Sequence, residues 1–300
     1  RQTGNRARLM RLDPARRLLA RAFRTPSGRV VPVAVQFSGT PDAPAAEVIL
    51  PASAGAEDAA AAVRAAALMI GADADLSPFY AAFADDPKFA PLLARFRGAK
   101  IFADPDPFEC LAKTIISQQL NLAFAGVLIE RIAALAGETA DLGELGDLFA
   151  ASGGEQPPDG AGGTLLAFPS AEAVARLAAE DLRRLSFSQR KAEYLIDAAR
   201  AAADGAIDFS RLERMEDEEA IAHLSRFRGI GRWTAECLLI FGFVRPDLLP
   251  AADIGLRNAV RAVYGLPAQP GAEDVRRLGA AWAPWRTYAA YYLWESLRQP

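Results

Sequence analysis

Histidine and cysteine are almost absent: one His and two Cys in 300 residues. With His223 as the single imidazole, Ser-His-Asp chemistry and His-rich metal sites are closed. Cys110 and Cys237 stand far apart in the chain, which excludes a four-Cys iron–sulfur cluster or zinc site built within it. Scarce thiols fit a reducing compartment, and the expected location is cytoplasmic. Long apolar runs are missing as well. None reaches transmembrane length, and the first residues hold no signal-peptide core. Net basic charge is also lacking. A formal charge of −3 does not advertise a nucleic-acid binder. A local basic face satisfies that need, however, and acidic residues concentrate elsewhere, as in Glu216-Asp217-Glu218-Glu219.

What is present is an ordinary globular composition, 51% apolar and 24% charged, with length enough for two or more domains. Residues 1–27 are Arg-rich with irregularly spaced leucines, which predicts a mobile, partly helical start. Residues 29–37 alternate with β-branched side chains and predict a strand, as do 47–50. An Ala-rich helix is expected over 58–70. Asp106-Pro107 supplies a cap and a first-turn proline, so one helix or a helix pair runs from there to Ala136. Residues 137–167 are Gly- and Pro-rich and predict a surface loop. Helical patterns resume at 170–179, 180–185, 188–203 and 217–227, and a last helix begins near Ala280. The fold class is therefore α+β. A small strand-containing region, 1–100, precedes a mainly α-helical region, 101–300.

The stretch from Leu224 to Val260 organises the rest. A helix ends near Ser225, turns at Gly229-Ile230-Gly231, and a second helix follows from about Arg232 to Phe243. This is a helix–hairpin–helix. Its glycines permit unusual backbone angles and close approach, and the first amides of the second helix form an anion site suited to a DNA phosphate. Arg226, Arg228 and Arg232 crowd the same turn, within reach of a strand backbone. After Pro246 and Pro250, Asp253 opens a new helix and is an N-cap candidate.

Four stretches resemble the 3-methyladenine DNA glycosylase II (AlkA-type) branch of the helix–hairpin–helix (HhH-GPD) glycosylases. They are D-P-F-E-C-L-A-K-T-I-I-S-Q-Q at 106–119, F-S-Q-R-K-A-E-Y-L at 187–195, the hairpin through Asp253, and W-A-P-W-R-T-Y-A-A-Y-Y-L-W at 282–294. The resemblance implies a helical HhH-GPD region behind the small N-terminal domain. It implies that Asp253 is the catalytic carboxylate, either stabilising charge or directing the attacking water. Trp233 and Trp294 would wall the base pocket with π faces, worth roughly 0.5–2 kcal/mol each to a cationic base. Tyr291 and Tyr292 are weaker wall candidates. Thr234, with Arg228, Gly229, Gly231 and Arg232, would hold DNA at the hairpin. Gln118 and Gln119 occupy the region that fills the gap left by a flipped base, with Gln119 or Leu120 as the wedge. Lys191 is a phosphate contact or a solvated Lys, and Arg286 a tie between helices.

Members that also cut the strand carry a Lys two residues past the second hairpin Gly, where this chain has Trp233. The resemblance thus implies a monofunctional enzyme that flips and excises alkylated purines from duplex DNA and leaves an abasic site. No metal site and no cofactor follow, beyond a monovalent cation held by hairpin carbonyls, and relatives act as monomers. Cys237, Ile254 and Glu295 stand where better-known members have aromatics, so the pocket, with Cys237 in its wall, is shaped differently. Two other readings remain open: a non-catalytic hairpin protein that only binds DNA, and a glycosylase for neutral damaged bases such as hypoxanthine.

Overall fold

The computed structural model describes residues 8–150 and 163–298. A four-stranded antiparallel sheet comes first, paired in sequence order: β1 (Met10–Asp13), β2 (Leu18–Arg24), β3 (Val30–Thr40) and β4 (Ala43–Ile49). The loose, partly helical start expected before Gly28 is thus wrong for residues 8–27, which supply β1 and β2. Burial on both faces hides β2 in the sequence. Leu18, Ala20 and Ala22 face Ala140, Leu142, Leu165 and Ala167. Leu19 and Phe23 face Ala62, Ala66 and Met69 of the helix α1 (Ala56–Ile70) on the other side. A strand buried on both faces loses its polar–apolar alternation.

The helical part follows. It begins with α2 (Ser77–Phe83), α3 (Ala90–Arg95), α4 (Pro107–Ser117) and α5 (Leu122–Ala136). Asp106 caps α4 by accepting from the amides of Phe108 and Glu109. The expected surface loop at 137–167 is a loop only in part. Its ends pair as antiparallel strands, β5 (Glu138–Asp141) with β6 (Thr164–Ala167), and α6 (Asp147–Ala150) lies between them. Residues 151–162 of that stretch lie outside the described residues. Next come α7 (Ala171–Ala175), α8 (Ala179–Arg184), α9 (Gln189–Ala203), α10 (Phe209–Arg214) and α11 (Asp217–Leu224). The chain closes with α12 (Arg232–Phe241), α13 (Ile254–Tyr264), α14 (Ala272–Gly279) and α15 (Arg286–Ser296). The last helix begins later than Ala280, after a 3-10 turn at Ala280–Trp282.

Two apolar cores divide the helices. One gathers Ile115, Ile129, Leu195, Ile221 and Leu238 from α4, α5, α9, α11 and α12. The other gathers Phe79, Leu93, Val260, Tyr292 and Leu293 from α2, α3, α13 and α15, with Trp282. Phe241, at the end of α12, packs against both. The hairpin and the Asp253 helix therefore come from different cores and meet at the seam between them.

A buried ionic quartet joins the sheet to these helices. Arg21 of β2 reaches Asp104 at 3.1 Å and Glu109 at 2.6 Å, and Lys113 reaches the same two carboxylates at 2.7 and 2.6 Å. The Asp104 amide then donates to the Phe241 carbonyl at 2.8 Å.

Candidate active site at the hairpin

Asp253 caps α13, as its place after Pro250 predicts: Oδ1 accepts from the Leu256 amide at 2.7 Å. The same oxygen accepts from Trp294 Nε1 at 2.9 Å, and Oδ2 accepts from Trp233 Nε1 at 3.1 Å. Helices α12, α13 and α15 thus each send one group to a single carboxylate. All three donors are neutral, so they fix its orientation without cancelling its charge. Both indoles are half-buried, and Phe241 stacks against Trp294 with centroids 5.9 Å apart at 31°.

Sequence reasoning passed over Phe241 as a site residue, and Gly255 with it. A Cβ at Gly255 would lie 3.0 Å from Asp253 Oδ1 and 3.5 Å from the Trp294 ring. A Gly in the first turn of a helix, beside an Asp cap, is the signal that marks such close approach. Cys237 lies buried on α12. Burial pushes its thiol well up, and the neighbouring Asp253 charge pushes it further. Tyr292 does not line this site. It is fully buried, its hydroxyl pairs with Tyr80 at 3.0 Å, and Tyr291 packs against its ring.

The hairpin turn is built as expected at Gly229, whose φ of +84° only glycine adopts readily. A Cβ there would also strike the Tyr194 ring at 2.4 Å. Gly231 differs from expectation. Its backbone is extended, with φ −96° and ψ 176°, and an added Cβ meets nothing within 4 Å. No side chain caps α12, so its first amides are left without a side-chain acceptor.

The arginines of the turn are not poised for a phosphate. Arg226 is bonded to His223. Arg228 reaches Glu193 at 2.6 Å and Asp197 at 3.4 Å, and lies over the Tyr194 ring. Arg232 binds Glu218 at 2.9 Å and Glu236 at 2.9 Å. Thr234 is buried, and its hydroxyl accepts from Gln118 Nε2 at 2.9 Å. The same Gln118 amide donates to the Gly229 carbonyl at 2.8 Å, so Gln118 is tied to the hairpin rather than free to enter DNA. Leu120 packs on the first helical core, whereas Gln119 is exposed at a left-handed φ of +56°. Lys191 is half-buried and turned inward. Its Nζ donates to the carbonyls of Ile115 and Gln118, each at 2.9 Å, and burial lowers it to about 8. Arg286 ties α15 to Asp247 with two bonds of 2.7 and 2.8 Å, so the tie expected between helices runs to the loop between α12 and α13.

Burial pushes the Glu236 carboxyl up to about 7, against the pull of Arg232. A carboxyl raised on folding binds its proton first in the folded chain, so its stabilising share is lost as pH rises. Between pH 4.5 and 7 the native chain is expected to lose about 3 kcal/mol more stability than Glu236→Gln. Urea midpoints at the two ends of that window measure it. Equal losses in both chains would take the slope away from Glu236 and leave it to the other carboxyls that burial raises, Asp106 and Glu295.

The YfjP protein of Bacillus subtilis (strain 168) is 39% identical over 200 residues, 67% of this chain and 62% of its own length. The chain thus spans somewhat less than two thirds of that relative. The 3-methyladenine DNA glycosylase from Archaeoglobus fulgidus superposes with a TM-score of 0.72 at 26% identity, covering 93% of this chain and 86% of that one. The Schizosaccharomyces pombe 3-methyladenine DNA glycosylase Mag1, solved with abasic DNA, superposes with a TM-score of 0.56 at 30% identity. That match covers 71% of this chain and 92% of Mag1. Residues 112–284 match the family described as HhH-GPD superfamily base excision DNA repair protein. That match takes in more than half of the chain, from α4 through the hairpin and Asp253, and the chain belongs to the HhH-GPD superfamily.

Proposed function

We propose that this chain is a monofunctional DNA glycosylase that excises alkylated purines from duplex DNA and leaves an abasic site. The observation that carries the reading is the Asp253 carboxylate held by the two indole N–H groups. An indole has one N–H, so both rings have spent their hydrogen-bonding capacity on Asp253. What they offer a flipped base is π surface, which favours a cationic alkylated purine over a neutral base read by hydrogen bonds. Such a base is already a good leaving group. The protein then has to extrude it, stack it, and set a negative charge beside a sugar of oxocarbenium character. Trp233 leaves no amine at the position from which strand-cutting members form a Schiff base.

The uncapped amides of α12 are the phosphate grip, and Gln119 is the wedge. Arg228 and Arg232 contribute once phosphate competes with their carboxylate partners. The test is base release from duplex DNA treated with a methylating agent. Expected are free methylated purines and alkali-labile sites without strand cutting. Duplex binding with no release would leave only a DNA-binding role, and strand cutting without alkali would overturn the monofunctional assignment.

A further inference from the structure

The stretch F-S-Q-R-K-A-E-Y-L at 187–195 has so far no task, and α9 carries nearly all of it. Its side chains do not reach Asp253. They reach two turns that belong to different helix pairs. Toward the α4–α5 turn, Lys191 Nζ donates to the carbonyls of Ile115 and Gln118, both at 2.9 Å. Both carbonyls stand at the C-terminal end of α4, where a cation is favoured, and that of Ile115 also accepts from the Gln118 amide at 3.4 Å. The residue that follows is Gln119, held at φ +56°. Toward the hairpin, Tyr194, one helical turn beyond Lys191, lies under Gly229 so closely that no Cβ fits between them. Beside it, Glu193 and Asp197 hold Arg228. Gln118 closes the loop. Its backbone carbonyl is bound by Lys191, and its side-chain amide donates to the Gly229 carbonyl at 2.8 Å and the Thr234 hydroxyl at 2.9 Å.

We propose that Lys191 and Gln118 are positioning residues that lock the wedge turn to the hairpin, so that gap filling at Gln119 and phosphate grip at α12 occur in fixed register. This rests on the glycosylase reading above. Neither residue touches the base or the sugar. Lys191 holds the left-handed turn from behind, and Gln118 transmits its place to the turn that grips the strand. An ammonium suits the first task because it offers several donors to two carbonyls, and a primary amide suits the second because it has two N–H groups for two oxygens. A register device matters only when a stacked, paired base must be extruded and its gap filled. A base in a single-nucleotide bulge is already unpaired and leaves no partner to be stranded.

The experiment compares single-turnover release of one alkylated purine, paired in a duplex or placed in a single-nucleotide bulge, for the native chain, Lys191→Met and Gln118→Met. Release from the paired site is expected to fall roughly 10- to 100-fold in both variants, the scale of a small misplacement. Release from the bulge should stay within about twofold, because extrusion there costs little. Lys191→Arg should recover part of the paired rate. A parallel fall on both substrates would mark the two residues as merely structural, and an unchanged paired rate would remove their role; either overturns the proposal. Should Lys191→Met not fold, Gln118→Met decides alone. A second readout is independent of excision: fluorescence of 2-aminopurine opposite a stable abasic analogue, at saturating protein. The native chain should perturb it and the variants should not. If the native chain excises nothing, the glycosylase reading falls while this signal still judges the register; equal signals from native and variant chains overturn it.

Discussion

Replacing Asp253 with Asn is expected to lower base release by about 10²–10³-fold or more, the scale for losing a preorganised electrostatic group. The substitution is nearly isosteric, and Asn caps a helix as well as Asp does, so α13 should keep its start. What changes is charge and acceptor count. Asp253 now receives two indole N–H groups and one amide on two oxygens. Asn has one acceptor oxygen and an NH₂ that cannot receive a donor. With the cap kept, the oxygen stands at the Oδ1 place that Leu256 and Trp294 share, so Trp233 must give up its bond, at about 1 kcal/mol for a half-exposed donor. The effect on stability is thus small beside the effect on rate. Single-turnover release and thermal unfolding, measured on the same preparation, separate the two. Release equal to that of the native chain would mean that Asp253 is a helix cap and that the negative charge the sugar needs comes from elsewhere.

The features that make Asp253 testable were visible in the sequence because they are local. An Asp after Pro-Ala-Ala, at the head of an amphipathic run, reads as an N-cap, and Gly-Ile-Gly between helical patterns reads as a turn. That Trp233 and Trp294 lie near Asp253 came from family resemblance alone. That they meet it edge-on, through their N–H groups, follows only from how α12 and α15 cross the seam. The same limit explains the misplaced residues. Gln118 finds its partners 111 and 116 residues away, and Lys191 finds its own at 76 and 73. No periodicity encodes such distances. The turn arginines read as phosphate contacts because charge in a turn is visible, whereas the carboxylates of α9, α11 and α12 that receive Arg228 and Arg232 are not. The strand at 18–24 escaped for another reason. Period-2 patterning needs one wet face, and β2 has none.

The largest loss of stability is expected from Arg21→Met. The quartet of Arg21, Lys113, Asp104 and Glu109 is neutral as a set, and Arg21 and Glu109 are buried. Burial works against the Arg21 charge, but Glu109 and Asp104 outweigh it and hold the guanidinium firmly protonated. Burial likewise works against the Asp104 carboxylate, and Lys113 and Arg21 outweigh that in turn. Met fits the apolar part of the site, where Arg21 already touches Met69. It leaves two carboxylates to share one ammonium. Breaking a buried ion pair from one side costs about 3–5 kcal/mol, because the remaining charge is uncompensated. The pH dependence should also change sign. In the native chain the Asp104 carboxyl is depressed, so its contribution is present above the ordinary carboxylate range and lost as pH falls. In the variant the crowded carboxylates take up a proton on folding, so stability should improve toward acid. Urea unfolding at neutral and mildly acidic pH measures both effects. Adding Glu109→Gln should restore a good part of the loss, since it removes the surplus charge that Arg21→Met creates. A loss below about 1 kcal/mol, or no recovery in the double variant, would mean that water reaches the quartet and that the sheet is held to α4 by apolar contact alone. If the loss is as large as expected, the consequence reaches the site, because Asp104 is bonded to Phe241 and Phe241 packs against the Trp294 that holds Asp253.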